Sequence, residues 1–383
     1  MTQMKLSCFR NHPEQTAEYL TAVSLHSHTN HSKESLRFIP EFAEKYPVLR
    51  WALERQRKKA KIPVDFDRAY WTPPLTAELS HEVESAQIEN VLGLASLVSL
   101  TDHDNTEAPA LLRALPETSQ TPFALEWSVP YGGAVYHLGV HNLPERRAQQ
   151  IMSELAAYTR CPCDHLLNEL LAMLDQCPEI LIVFNHPLWD LGEIGPCYGQ
   201  LVNQFLERHA RFVHALEINA TRGWKENLRV IELAERYQRL TVSGGDRHGC
   251  EPSGALNLTR AGSFPEFIAE VRLEQRSHVL LMPQYAEPRC VHIVKTLLDT
   301  IRGYPGYPIG FRRWDDRVFH PGRTNDDCAL SALWKAPPAY IDLIFSALRL
   351  LENAAVQRAL THVITDARHA GVLRSEAWYG ATP

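Results

Sequence analysis

Short apolar, β-branched runs alternate along this chain with amphipathic segments of helical period, and no other feature constrains its fold so strongly. The candidate strands are residues 22–25, 94–100, 123–129, 135–140, 180–184, 213–218 and 240–243, with a further one at 278–281. Stretches of helical period at 146–158, 165–174 and 225–237 lie between them. In the last, Leu228, Ile231, Leu233 and Ala234 follow roughly helical spacing. Strands that alternate with helices build parallel βα units. Seven or eight of them predict an α/β fold with a closed or nearly closed barrel, although an open doubly wound sheet would give a similar string. Length permits this, since 383 residues hold one barrel-type domain with additions as readily as two or three average domains.

Two stretches exceed a minimal barrel. Residues 36–74 form an insertion after strand 1, with a basic run at Arg55, Arg57, Lys58, Lys59 and Lys61. Such a run ordinarily marks a solvated helix face; the functional alternative is a lid that draws an anionic substrate inward. Beyond Pro283, a Pro/Gly-rich loop at 303–310 precedes a helical segment at 339–370. The expected organisation is a barrel over residues 1–283 and a C-terminal helical extension over 284–383. That extension is read as packed on the barrel and as a candidate contact in a homo-oligomer.

Charge excludes some partners. The chain carries a net charge of −6, so no overall positive field is available to hold a long nucleic acid by its backbone. Its apolar runs are far short of a membrane span. Residues 1–15 are polar without the apolar stretch of a signal peptide. Of the eight cysteines only Cys161 and Cys163 are close in sequence. Reduced thiols and a cytoplasmic location are expected. A P-loop and a Gly-x-Ser-x-Gly elbow are both missing.

The eighteen histidines matter through their positions. His26 and His28 end the first candidate strand, and Thr101-Asp-His103-Asp104 ends the second. Glu126 ends the third, and His137 lies in the fourth. Asn185-His186 ends the fifth, Glu217 to Asn219 the sixth, and Gly245-Asp246-Arg247-His248 the seventh. In a parallel barrel all strand C-termini open on one face, where these groups would meet. Residues at i and i+2 of a strand share a face, so His26 and His28 can grip one cation, and Asp246 with His248 could do the same. Imidazole mixed with carboxylate suits Zn, Mn or Fe better than Ca or Mg. The eight candidates, His26, His28, His103, Glu126, His137, His186, Asp246 and His248, exceed the three or four ligands one ion needs. Two or three divalent transition-metal ions fit the count. A single strand-end histidine would ordinarily be a hydrogen-bonded structural residue, and His12, His81, His165, His209, His214, His278, His292, His320, His362 and His369 are read that way.

Taken in order, Leu25-His-Ser-His28, Leu100-Thr-Asp-His-Asp104, Glu126, Tyr136-His-Leu-Gly139, Asn185-His-Pro187 and Gly245-Asp-Arg-His248 resemble the PHP (polymerase and histidinol phosphatase) superfamily of metal-dependent phosphoesterases. These segments span residues 22 to about 250. The resemblance implies a distorted (β/α)7 barrel of PHP type and a trinuclear metal centre. His26, His28, Glu126 and Asp246 would hold one ion, Glu126 would bridge to a second held by His137 and His186, and His103 with His248 would hold a third. A further ligand is expected shortly after His28. Glu34 is the candidate and His31 the second choice, because Lys33 occupies a place where an acid would stand.

The expected chemistry is hydrolysis of a phosphate ester by a metal-bridging hydroxide. The favoured substrate is a phosphomonoester of a small metabolite or nucleotide. A phosphodiester or short oligonucleotide comes next, and a non-catalytic PHP-like module is the alternative from another class. Arg247, Arg222 and Lys33 are candidate phosphate-binding cations. His248, Asp104 and Arg247 are the candidate catalytic groups, with Asp102, Asp104, Glu217 and Asn219 as orienting groups.

Overall fold

A computed structural model of the chain describes residues 3–37, 65–189, 195–287, 289–321 and 327–333. It also describes positions 39–40, 44, 47, 50–51, 54–55, 58, 345–346 and 348–349. The chain folds as a mixed α/β protein. Its strands are β1 (Gln3–Cys8), β2 (Thr21–Ser24), β3 (Glu34–Ser35), β4 (Tyr70–Trp71), β5 (Ala95–Val98), β6 (Phe123–Tyr131), β7 (Ala134–Leu143), β8 (Leu181–Asn185), β9 (Ala215–Asn219), β10 (Leu240–Gly244), β11 (Ala255–Thr259), β12 (Arg276–Leu281), β13 (Val318–Pro321) and β14 (Asp327–Ala329).

These strands form three sheets, in the orders β1-β12-β11-β2-β5, β10-β9-β8-β7-β6 and β14-β13-β4-β3. The ladders therefore do not show the expected closed barrel, and two local causes account for this. Strand β11 runs antiparallel to both of its neighbours. Strands β6 and β7 form a hairpin instead of a βα crossover. Its loop is Gly132-Gly133, with φ of 61° and 88°, the left-handed pair a two-residue hairpin turn requires. Where the strands end, two isolated parallel bridges, Ser27 with Arg247 and His103 with Glu126, tie the first two sheets together. Backbone bonds reinforce them: Gly245 N donates to Leu25 O at 2.8 Å and Asp104 N to Glu126 O at 2.9 Å.

Between the two large sheets lies a shared apolar core of Val23, Leu25, Leu181, Val183, Leu240 and Val242. Strands β2, β8, β9, β10 and β11 are buried along their whole length, as expected when both faces are covered. Helices cover the outer face of the second sheet. Helix Asp164–Asp175 buries Leu167, Leu170, Leu171 and Leu174, a three-to-four spacing that puts them on one stripe. Each such leucine contributes roughly 1.5–3 kcal/mol by leaving water.

The third sheet was not foreseen. Strand β4, from the insertion, pairs with β13 from the tail, so the tail is not helical throughout. Its helix Arg289–Ile301 is followed by the β13–β14 hairpin. The expected helix at 339–370 falls almost wholly outside the described residues, as do Arg57, Lys59 and Lys61 of the basic run. Among the described residues no helix is long and apolar enough to cross a membrane, and the described cysteines form no disulfide.

Candidate metal centre

Strands β2, β5, β8, β9 and β10 are joined by parallel ladders or by the parallel bridges at their ends. Their C-termini therefore face one way. Just past those ends His26, Asp104, His186 and Asp246 take left-handed backbone, with φ of 64°, 47°, 25° and 47°. Such conformations cost non-glycine residues about 1–3 kcal/mol each and persist only where surrounding contacts hold them. Here the chain turns sharply as it leaves each strand.

Glu126 lies at the middle of the cluster and is fully buried. Its Oε2 faces His26 Nε2 at 3.1 Å, His28 Nε2 at 3.3 Å and His103 Nδ1 at 3.4 Å. Its Oε1 faces His186 Nε2 at 3.0 Å and His137 Nδ1 at 3.4 Å. Asp246 Oδ1 lies 3.7 Å from the Nε2 atoms of both His26 and His28. Glu34 Oε2 lies 3.2 Å from His248 Nε2 and 3.5 Å from His103 Nε2. His31, the second choice, ion-pairs with the exposed Glu107 instead.

The donors fall into groups whose ligand atoms lie within 4.8 Å of one another. These are His28–Glu34–His103–His248, His26–His186–Asp246, His26–His28–Glu126 and His103–Glu126–His137. The structure thus brings all nine sequence-derived ligand candidates together. The partition differs from the implied one: His186 groups with His26 and Asp246, His28 also groups with His103 and His248, and His103 also groups with Glu126 and His137. Whether such residues suit metal ions is tested by atoms left without partners. His26 Nε2, His28 Nε2, His103 Nδ1, His137 Nδ1, His186 Nδ1 and Glu126 Oε2 are buried with no hydrogen-bond partner. An unsatisfied buried polar atom costs about 1–3 kcal/mol. Five imidazole nitrogens and a carboxylate oxygen left this way in one place suit divalent cations, so the donors fit.

Electrostatics point the same way. Burial would lower the His26 imidazole, but Glu126 and Glu217 hold its pKa well above the ordinary value. Burial likewise opposes His103, yet Glu34 and Glu126 raise it to about 10. His137 lacks enough compensation, and burial takes it down to about 3. For Glu126, burial is outweighed by His26, His103 and His137, which keep the carboxyl well below its usual range. The carboxylates stay ionised, and protons on some imidazoles balance them where cations would otherwise do so.

Neighbouring groups orient the donors. Glu217 Oε1 sits on His26 Nδ1, leaving Nε2 for the cluster, the usual arrangement for a metal-ligating histidine. Its Oε2 accepts from His186 N at 2.6 Å and from Asn219 Nδ2 at 2.9 Å. Asn185 Nδ2 donates to Glu126 Oε1 at 2.9 Å. Trp189 stacks on His137 with ring centres 5.5 Å apart.

Three assignments need correction. The Arg247 guanidinium turns into the protein, donating to Glu84 Oε1 at 2.8 Å, to Gly249 O at 2.7 Å and to Ser80 Oγ. It holds helix Ala77–Gln87 against the loop after β10 and is not placed to bind phosphate. Lys33 ion-pairs with Asp327 at 2.9 Å on the surface. Asp104 accepts from Ser128 N at 2.9 Å and so anchors β6 rather than a reacting group. Arg222 alone of the three cations lies by the donors, 3.7 Å from Asp246 Oδ2. Sequence reasoning missed Glu84. The signal was a carboxylate on the buried stripe Ala77, Ser80, Glu84, Gln87 of its helix.

No protein-family model and no curated protein matches the chain. Among solved structures it is similar to PsfC from Pseudomonas syringae, at 20% identity over 58% of this chain and 87% of that one, with a TM-score of 0.37. It is also similar to a protein assigned as a metal-dependent phosphoesterase from Bifidobacterium adolescentis, at 14% identity over 52% and 91%, TM-score 0.34. A third is an amidohydrolase from Chromobacterium violaceum, at 16% identity over 59% and 87%, TM-score 0.33. At these identities and TM-scores the likenesses decide neither fold nor chemistry, and the side chains above must do so.

Proposed function

We propose that this chain is a metal-dependent hydrolase of phosphate esters, of the PHP kind, acting on a phosphomonoester of a small metabolite or nucleotide. The observation that carries the reading is the set of adjoining donor groups around the buried Glu126, with five imidazole nitrogens that have no hydrogen-bond partner. Divalent ions held by such donors would supply Lewis acidity towards water and phosphoryl oxygens. Within the chain, Glu217 fixes the His26 ring and Asn185 steadies Glu126. Arg222 lies where it can hold a phosphoryl oxygen beside Asp246. His248, with its ring one-fifth exposed between Glu34 and Asp246, would help hold a cation at the open side of the cluster. A small cavity of about 50 Å³ lies beside Asp246 and His248. The run Thr101-Asp-His-Asp104 favours this reading over a lysine-bridged amidohydrolase. A cytoplasmic, homo-oligomeric protein with no long nucleic-acid partner, organised as a domain over residues 1–283 with a C-terminal extension, completes the proposal.

Metal analysis coupled to a phosphoester panel tests it. Two or more transition-metal ions per chain and turnover abolished by chelation are expected. His28→Ala and Asp246→Ala should each lose activity while the folded far-UV spectrum persists. Wild-type turnover in both variants, or a metal-loaded protein inert across mono- and diesters, would overturn the assignment.

A further inference from the structure

We propose that helix Arg289–Ile301 and strands β13 and β14, which lie beyond the segments that carry the PHP resemblance, position one donor group of the metal centre through Asp299 and Asp327. The inference rests on the metal-centre reading and concerns the group His28–Glu34–His103–His248. Two of those four donors depend on elements the tail holds. Glu34 stands in β3, a strand of two residues that has too few ladder bonds to place itself. It pairs with Trp71 of β4, and Trp71 pairs in turn with Val318 of β13. Asp327 then ties both flanks of Glu34. It accepts from Lys33 Nζ at 2.9 Å, next to Glu34 in sequence, and from Tyr70 Oη at 2.8 Å, which lies opposite Ser35. The Tyr70 ring stacks on Phe319, centres 5.1 Å apart.

His248 is held from the other side. Asp299 Oδ2, on helix Arg289–Ile301, accepts from Cys250 N at 2.8 Å. The approach is close enough that a Cβ at Gly249 would lie 2.9 Å from the same oxygen. Lys295 on that helix binds Glu251 at 2.6 Å. Among the described residues, His26, Glu126, His137 and His186 make no hydrogen bond or ion pair with 289–329. The tail therefore acts on one group and leaves the rest to the large sheets. Asp299 and Asp327 are positioning residues, since they touch no donor.

The test is metal content per chain after dialysis against graded chelator, for wild type, Glu34→Ala and the double variant Asp299→Ala/Asp327→Ala. The double variant should release one ion at up to about 10-fold lower chelator than wild type, the low end of the effect of losing a group that orients a ligand and less than Glu34→Ala produces, while its remaining ions and its thermal unfolding stay unchanged. Asp299→Asn/Asp327→Asn, which keeps an acceptor oxygen at each place, should restore retention. Wild-type retention in the Ala variant, or loss of all ions together with a lowered unfolding temperature, overturns the proposal, and so does a wild type that binds no ion. Because the readout is metal, a loaded wild type that hydrolyses no phosphoester would remove the proposed reaction and leave this result standing.

Discussion

Arg247 and Arg222 have the same side chain but different structural roles. Arg247 stands in sequence between two candidate ligands, yet its guanidinium forms a buried ion pair with Glu84 at 2.8 Å. Removing one partner of such a pair strands the other charge in the interior, at a cost of about 3–5 kcal/mol. Arg247→Ala should therefore lower the unfolding free energy of the chelated protein, measured by urea titration, by that order. A variant as stable as wild type would show that Glu84 is served by its serine donors alone. The residue types at the strand ends were legible in the chain, because carboxylates and imidazoles crowding the ends of apolar runs have few other uses. Which way an arginine beside them turns was not, since that depends on Glu84, 163 residues away in sequence.

Elements place the donors through their ends. Strand β10 closes on Gly244 because β9 presents Glu217 there. A Cβ on residue 244 would overlap Glu217 Oε1 and come 2.5 Å from its Cδ. Gly244→Ala should push that carboxylate off His26 Nδ1 and His186 N. A metal affinity lowered about 10–100-fold is expected, the scale of losing an orienting carboxylate, with most of the folding stability kept. Chelator competition on the variant measures this, and wild-type affinity would contradict the role given to Glu217. The strands at 123–129 and 135–140 were read correctly as strands but not as a hairpin. Gly132-Gly133 between them was the available signal, because both central positions of such a turn need left-handed backbone.

At the scale of the whole molecule, the protein buries histidines outside the cluster as neutral rings. His278, between Ser7 and Tyr19, and His141, against Ser99, are both taken down to about 3 by burial. The unfolded chain takes up these protons near pH 6.5, whereas the folded chain resists them down to about 3. Folded stability contributed by these rings is thus complete above pH 6.5 and lost progressively as pH falls towards 3, by about 1.4 kcal/mol per pH unit for each ring. The unfolding temperature of the chelated protein should fall across that window, and His278→Gln should flatten the slope. An unchanged slope in the variant would mean that His278 is already charged in the fold.

The chain by itself determined which residues end its strands and what chemistry they bring, because apolar periodicity and donor type are local properties. Only the tertiary structure decided how the strands pair, that the insertion and the tail build one sheet next to Glu34, and which cations face the centre. Those outcomes depend on contacts between segments far apart in sequence, and no window along the chain contains both partners.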